Sequence, residues 1–245
     1  MVSVLKQSAR IKLSIPDLLT FNGGYVDTAG FLALQGLFTA HVTGNFVTLG
    51  ASLVHGSSGA LAKLLALPVF CLVVLLVRLF RDDLARITTT ALTGLLGAKT
   101  LLLGAAAALA LLEGPFTDGD SLTALVTGLT LVAAMAIQNA VHRVHFSKVP
   151  PTTLMTGTTT QMMMDLADLL RSRLPPELRA AARSRATTLG RSVAIFALGC
   201  GIAALTYAKT GEAVFLLPPL LSGLTLVLRL RSEDAWIADH GREPD

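Results

Sequence analysis

The chain has 245 residues, of which 52% are hydrophobic and only 15% charged, and its net charge is +4. Soluble domains carry about a quarter charged residues. Here the apolar residues gather into long runs without a polar outer face, which argues against a water-soluble helical bundle. The basic residues fall between those runs rather than on one soluble face, so they mark membrane orientation and give no reason to expect a nucleic-acid partner.

In chain order, residues 1–15 read as a cytoplasmic tail carrying Lys6, Arg10 and Lys12, with no cleavage site of a signal peptide. Long apolar helices are predicted at 16–38, 60–80, 88–112, 121–144, 187–208 and 211–229, each near the ~20 residues needed to cross a bilayer. Two shorter pieces, 43–56 and 154–170, are re-entrant, interfacial or short-spanning. If neither crosses, 17 of the 20 Lys and Arg fall inside, Lys63 and Lys209 fall outside, and Lys99 lies within the membrane. If both cross, making eight spans, 13 fall inside and six outside. The positive-inside rule favours six spans, with both termini in the cytoplasm of a multi-pass plasma-membrane protein. Eight spans is the runner-up. The basic linker 171–191 reads as an orienting loop, Pro218-Pro219 as a kink in the last span, and residues 230–245 as a polar tail. The fold class is therefore an all-α integral membrane protein, one domain over 1–245.

An internal similarity divides the chain. Asp27 precedes Thr43-Gly44-Asn45, and Asn139 precedes Thr156-Gly157-Thr158; each Thr-Gly is followed by a short helix and two long ones. The halves, 16–112 and 121–229, each hold three spans, and three is odd, so the second half is inverted relative to the first. Transporters commonly bind substrate near the midplane between such repeats. Asn22-Gly23-Gly24-Tyr25-Val26-Asp27-Thr28-Ala29-Gly30-Phe31 and Phe38-Thr39-Ala40-His41-Val42-Thr43-Gly44-Asn45, with Gln138-Asn139-Ala140 and Thr156-Gly157-Thr158 in the second half, resemble the YoaK-like family of bacterial multi-spanning membrane proteins of unknown function. That resemblance implies a six-helix-type membrane protein of this size and supplies no substrate and no functional residues.

The candidate substrate-binding residues follow from cost. A carboxylate at mid-bilayer is expensive and usually faces a bundle interior or a cavity. Asp27 and Lys99 are each near the middle of a span, so they are expected to be partners or to line one cavity, whether for a ligand or only to fix helix packing. Thr43, Gly44, Asn45, Thr156, Gly157 and Thr158 read as helix starts whose amides can face an anionic or electron-rich group, or as ordinary caps. His41 is a candidate proton relay. Gln138 and Asn139 can hydrogen-bond a ligand or join helices. Asp165 and Asp168 share a helix face near Arg171 and Arg173, and Gly94, Gly97, Gly104, Gly199 and Gly201 read as close helix contacts. Cys71 and Cys200 read as buried hydrophobes. No metal, cofactor, catalytic residue or nucleotide-binding loop is expected. The leading function is a secondary transporter or permease for a polar or anionic small molecule. The alternatives are a membrane-embedded enzyme acting on a lipid-type substrate, with Asp27 as base, and a non-catalytic scaffold. The expected partners are the bilayer, that small ligand and, left open, further copies of the chain.

Overall fold

The computed structural model describes residues 14–80, 91–153, 155–171 and 175–240, with backbone alone from 233 onward. The N-terminal tail with its three basic residues, residues 81–90 with the start expected for the third long helix at 88, and Arg173 lie outside the described residues. Within them the chain is all helical. The helices are α1 (Ile15–Ala33), α2 (Asn45–His55), α3 (Ala60–Leu79), α4 (Ala91–Glu113), α5 (Leu122–His145), α6 (Met155–Leu170), α7 (Pro176–Thr210) and α8 (Leu217–His240), with tighter 3₁₀ turns at Val42–Gly44 and Gly211–Leu216.

Four stretches are long and apolar enough to cross a membrane: Ala60–Leu79, Ala91–Glu113, Leu122–His145 and the run Pro176–Ser232, which holds α7 and most of α8. Many apolar side chains of all but the largely buried Leu122–His145 point outward. Only 17% of α3 is buried inside the protein, and Leu72, Leu75, Leu101, Leu205 and Leu220 are all exposed. Such a surface suits hydrocarbon and not water. The protein is a membrane protein. α1 is lower in hydropathy because Asn22 and Asp27 lie on it, and both are buried against the rest of the protein.

The ends of the elements have local causes. Ser14 and Asp17 form a reciprocal cap at the start of α1, with Pro16 in the first turn where no backbone donor is lost. α1 stops at Ala33, short of the expected 38, because Gln35 (φ 52°) and Gly36 (φ 83°) turn the chain back through the left-handed region. Pro218 and Pro219 occupy the first turn of α8 and start that helix instead of kinking it. The basic linker is also not a loop: α7 begins at Pro176 and runs through it. The tail after Arg231 continues α8 to His240.

α1 packs most extensively on α7. A Cβ on Gly24 would stand 2.3 Å from the Phe196 carbonyl oxygen, and one on Gly199 would stand 2.2 Å from that of Phe21. The two backbones touch there, as small residues permit within membranes. Gly97, Gly104 and Gly201 face open space and make no such contact, contrary to their sequence reading.

Hydrogen bonds fix which ends lie together. Beyond the end of α1, Gln35 Nε2 donates to the Phe116 carbonyl at 3.0 Å. The Asp120 carboxylate, just before α5, accepts from the amides of Gly59 (2.9 Å) and Leu61 (3.0 Å) at the start of α3. The end of α1 and the starts of α3 and α5 therefore share one side. At the other side Arg191 of α7 meets Asp17 of α1 at 2.7 Å, and Gln138 Nε2, near the end of α5, donates to the Leu19 carbonyl at 2.9 Å. α6 lies along the first half of α7, held by Asp165 and Arg185 at 2.8 Å.

Candidate functional site

Asp27 sits on α1 with its residue 5% exposed. The chain that turns back after α1 wraps its carboxylate. Oδ1 accepts from the backbone amides of Thr39 (2.8 Å) and Ala40 (2.7 Å), and Oδ2 lies 2.6 Å from His41 Nδ1. A buried carboxylate survives when it is so satisfied. Asn45 then closes the segment: its Oδ1 accepts from the Phe38 amide (2.9 Å) and its Nδ2 donates to the Phe38 carbonyl (2.7 Å). This is what the Thr43-Gly44-Asn45 motif does locally: Asn45 staples the turn, Gly44 lets the Phe38 ring lie close, and Thr43 faces a cavity.

That cavity, about 500 Å³, has Asp27, Phe31, Phe38, His41, Phe196 and Cys200 among its walls. His41 is held edge-on by Phe38 and Phe196, with ring centroids 6.2 and 5.8 Å away. Its Nε2 has no protein partner among the described residues. A second cavity, about 440 Å³, has His41 in its wall too, together with Thr156, Gly157 and Thr158 at the start of α6. The 3₁₀ turn before α2 and the first turn of α6 thus face two spaces that share one imidazole.

The second half repeats the local pattern in neutral form. Asn139, the counterpart of Asp27, accepts from Thr153 Oγ1 at 2.8 Å and donates to the Met135 carbonyl at 3.0 Å. His41 follows Asp27 by 14 residues, and Thr153 follows Asn139 by the same 14.

The structure separates Asp27 from Lys99. Asp27 is engaged by 39–41, whereas Lys99, wholly buried, donates from Nζ to Gln138 Oε1 at 2.6 Å. Gln138 passes the connection on to the Leu19 carbonyl and to Thr152 Oγ1 (3.2 Å), tying α4, α5, α1 and the loop before α6 together. The expected Asp27–Lys99 pairing is therefore corrected: through Gln138, Lys99 reaches α1 at Leu19, eight residues and about 12 Å along the helix before Asp27. Asp165 likewise bonds Arg185 of α7 rather than the nearby Arg171. Cys200, read as a buried hydrophobe, is half-buried in the wall of the first cavity, a place set by the Gly24–Gly199 contact that no spacing announces.

Residues 17–228 match a family described as "Protein of unknown function (DUF1275)". The chain belongs to this family. It is the YoaK-like family that the paired motifs resemble, and in this DUF1275 protein Asp27, His41, Thr43 and Gly44 of the first motif and Thr156-Gly157-Thr158 of the second line the two cavities. No curated protein and no solved structure matches the chain.

Proposed function

We propose that this protein is a small permease, with six spans and two re-entrant helices, for a polar or anionic small molecule that passes His41. Because the end of α1 and the start of α3 share a side, α2 must leave and return on that side. α5 ends, and the spanning part of α7 starts, on the opposite side, so α6 does the same there. Exchanging the halves maps the packing onto itself. The α1–α7 contact corresponds to α5–α3, α2–α3 to α6–α7, and α4–α5 to α8–α1, while α4–α8 maps onto itself. Two such halves lying in opposite senses make an inverted repeat, with both termini cytoplasmic by the charge distribution.

The observation that carries the transport reading is His41, which lines both cavities. Half-helices that start within the membrane turn free amides toward that point, favouring negative or electron-rich groups. Irregular backbone such as 34–44 is tolerated at depth where it packs on protein or lines a cavity. Asp27 fixes the imidazole so that Nε2 meets the solute, and this leaves His41 able to pass a proton.

The test is solute flux in vesicles holding the purified protein. Wild-type vesicles challenged in turn with formate, acetate, nitrate, glycerol and urea are expected to equilibrate at least one solute faster than protein-free vesicles. His41→Gln is expected to slow that flux at least tenfold while leaving the protein folded. Unchanged flux in His41→Gln, or no flux of any solute, would overturn the reading. A second reading keeps one specific support: a carboxylate-oriented histidine whose Nε2 has no protein partner among the described residues, beside a cavity, also suits a general base acting on a lipid-type substrate. Release of a water-soluble product from vesicle lipid, abolished by His41→Gln, would favour it.

A further inference from the structure

A third cavity, about 420 Å³, opens between α3, α4 and α5 at the end where α3 and α5 finish. Its wall is mostly apolar, with Phe70, Val74, Val77 and Leu95; Asn139 and His145 add polar groups, and Arg78 and Arg143 stand near the ends of α3 and α5. It shares no lining residue with the two cavities around His41. We propose that it binds an anionic glycerophospholipid, with the headgroup phosphate on Arg78 and Arg143 and an acyl chain along Phe70, Val74 and Val77.

Charge and position both argue for that occupant. Arg78 and Arg143 are exposed and neither is paired with an acid among the described residues. The carbonyl ends of α3 and α5 contribute roughly half a negative charge each, less than the two full positive charges of the arginines. Arginine also matches phosphate with a planar fork of donors. The neighbouring surface of α3, with Leu75, Leu76, Leu79 and Phe80 exposed, is a surface for hydrocarbon, so the cavity is entered from lipid. Basic pockets between spanning helices on the cytoplasmic side are where anionic headgroups bind. The orientation proposed above assigns the site to the cytoplasmic leaflet. The binding itself requires only that the chain lies in a membrane, and does not depend on transport.

Native mass spectrometry of the full chain, released from detergent with phosphatidylglycerol or phosphatidylcholine added, tests this. Wild-type protein is expected to retain phosphatidylglycerol preferentially. Arg78→Gln with Arg143→Gln is expected to reduce that preference about thirtyfold, taking about 1 kcal/mol for each arginine near a headgroup. Arg78→Lys with Arg143→Lys should keep most of it, and Val74→Trp, which fills the apolar wall, should displace the lipid with both arginines intact. Equal retention of the two lipids, or a preference that survives the double glutamine variant but is lost with Arg179→Gln and Arg183→Gln on α7, would overturn the proposal. Because flux and lipid retention are read separately, failure of one leaves the other standing.

Discussion

At the scale of single residues, Asp27 works by holding a loop. Two backbone amides and an imidazole converge on its oxygens. Asp27→Ala would strand those buried donors and is expected to cost about 3 kcal/mol, whereas Asp27→Asn keeps one acceptor oxygen for Thr39 and Ala40 and should cost less. Thermal unfolding in detergent, with the order wild type, then Asn, then Ala, is the check; an Ala variant as stable as wild type would contradict the geometry. The glycines divide as sharply. Gly24→Ala and Gly199→Ala must push α1 from α7, at about 1–3 kcal/mol each, while Gly201→Ala meets nothing within 4 Å and should stay within about 0.5 kcal/mol. That Asp27 mattered was legible in the sequence, since an acid in an apolar run has to be accounted for. Its partner was not, because the turn at Gln35–Gly36 needs a positive φ at a non-glycine residue. Lys99 shows the same limit: sequence gives its place along its own helix, and only packing shows that it meets α1 at Leu19, through Gln138, rather than at Asp27.

Among the elements, α6 and the first half of α7 were the hardest to read. Arginine-rich residues 171–191 looked like a loop because charges cannot enter hydrocarbon. Arg179-Ala180-Ala181-Ala182-Arg183 is nonetheless a strong helix former, and once outside the bilayer it is free to coil. What fastens α6 to it is Asp165, whose side chain is 2% exposed, against Arg185. The Arg185 guanidinium, hydrogen-bonded to it, holds the Asp165 carboxyl below its ordinary value. A carboxyl lowered on folding stabilises the folded form above its ordinary value of about 4, and that contribution disappears as pH falls through the lower folded value. Amide exchange in α6 is therefore expected to quicken below about pH 4 relative to α5. In Asp165→Asn, α6 should exchange faster already at neutral pH and lose most of the acid dependence. Protection of α6 that is indifferent to both changes would show the pair to be idle. The long helices were legible because apolar length is a direct demand of the bilayer, a demand that four stretches of the structure meet. Their polar ends were not, since caps and charges there answer to neighbours.

For the whole molecule, the sidedness of the loops decides between six spans and eight. In both arrangements the turn at Gly36 faces outside. With six spans Ser57, between α2 and α3, faces outside as well; with eight it faces the cytoplasm. The contact that argues for a shared side is Gln35 Nε2 to the Phe116 carbonyl at 3.0 Å, which ties the turn at Gly36 to the segment whose Asp120 binds Gly59 and Leu61. With Cys71 and Cys200 replaced by alanine, a cysteine at Ser57 is expected to react with a membrane-impermeant maleimide added to intact cells, and one at Ser147 only after the membrane is opened. The inverted order, Ser57 protected and Ser147 labelled, would require α2 to cross and would remove the re-entrant arrangement on which the proposed permease rests. Matching labels at 57 and 36, with 147 on the far side, would instead mean that each half carries its short helix in from its own face. The pairs Asp27–His41 and Asn139–Thr153 then differ in place as well as in charge: Asp27 and His41 line the cavity beside Phe196, whereas Asn139 lines the separate cavity between α3, α4 and α5, so a solute passing His41 would meet an ionisable pair from the first half alone.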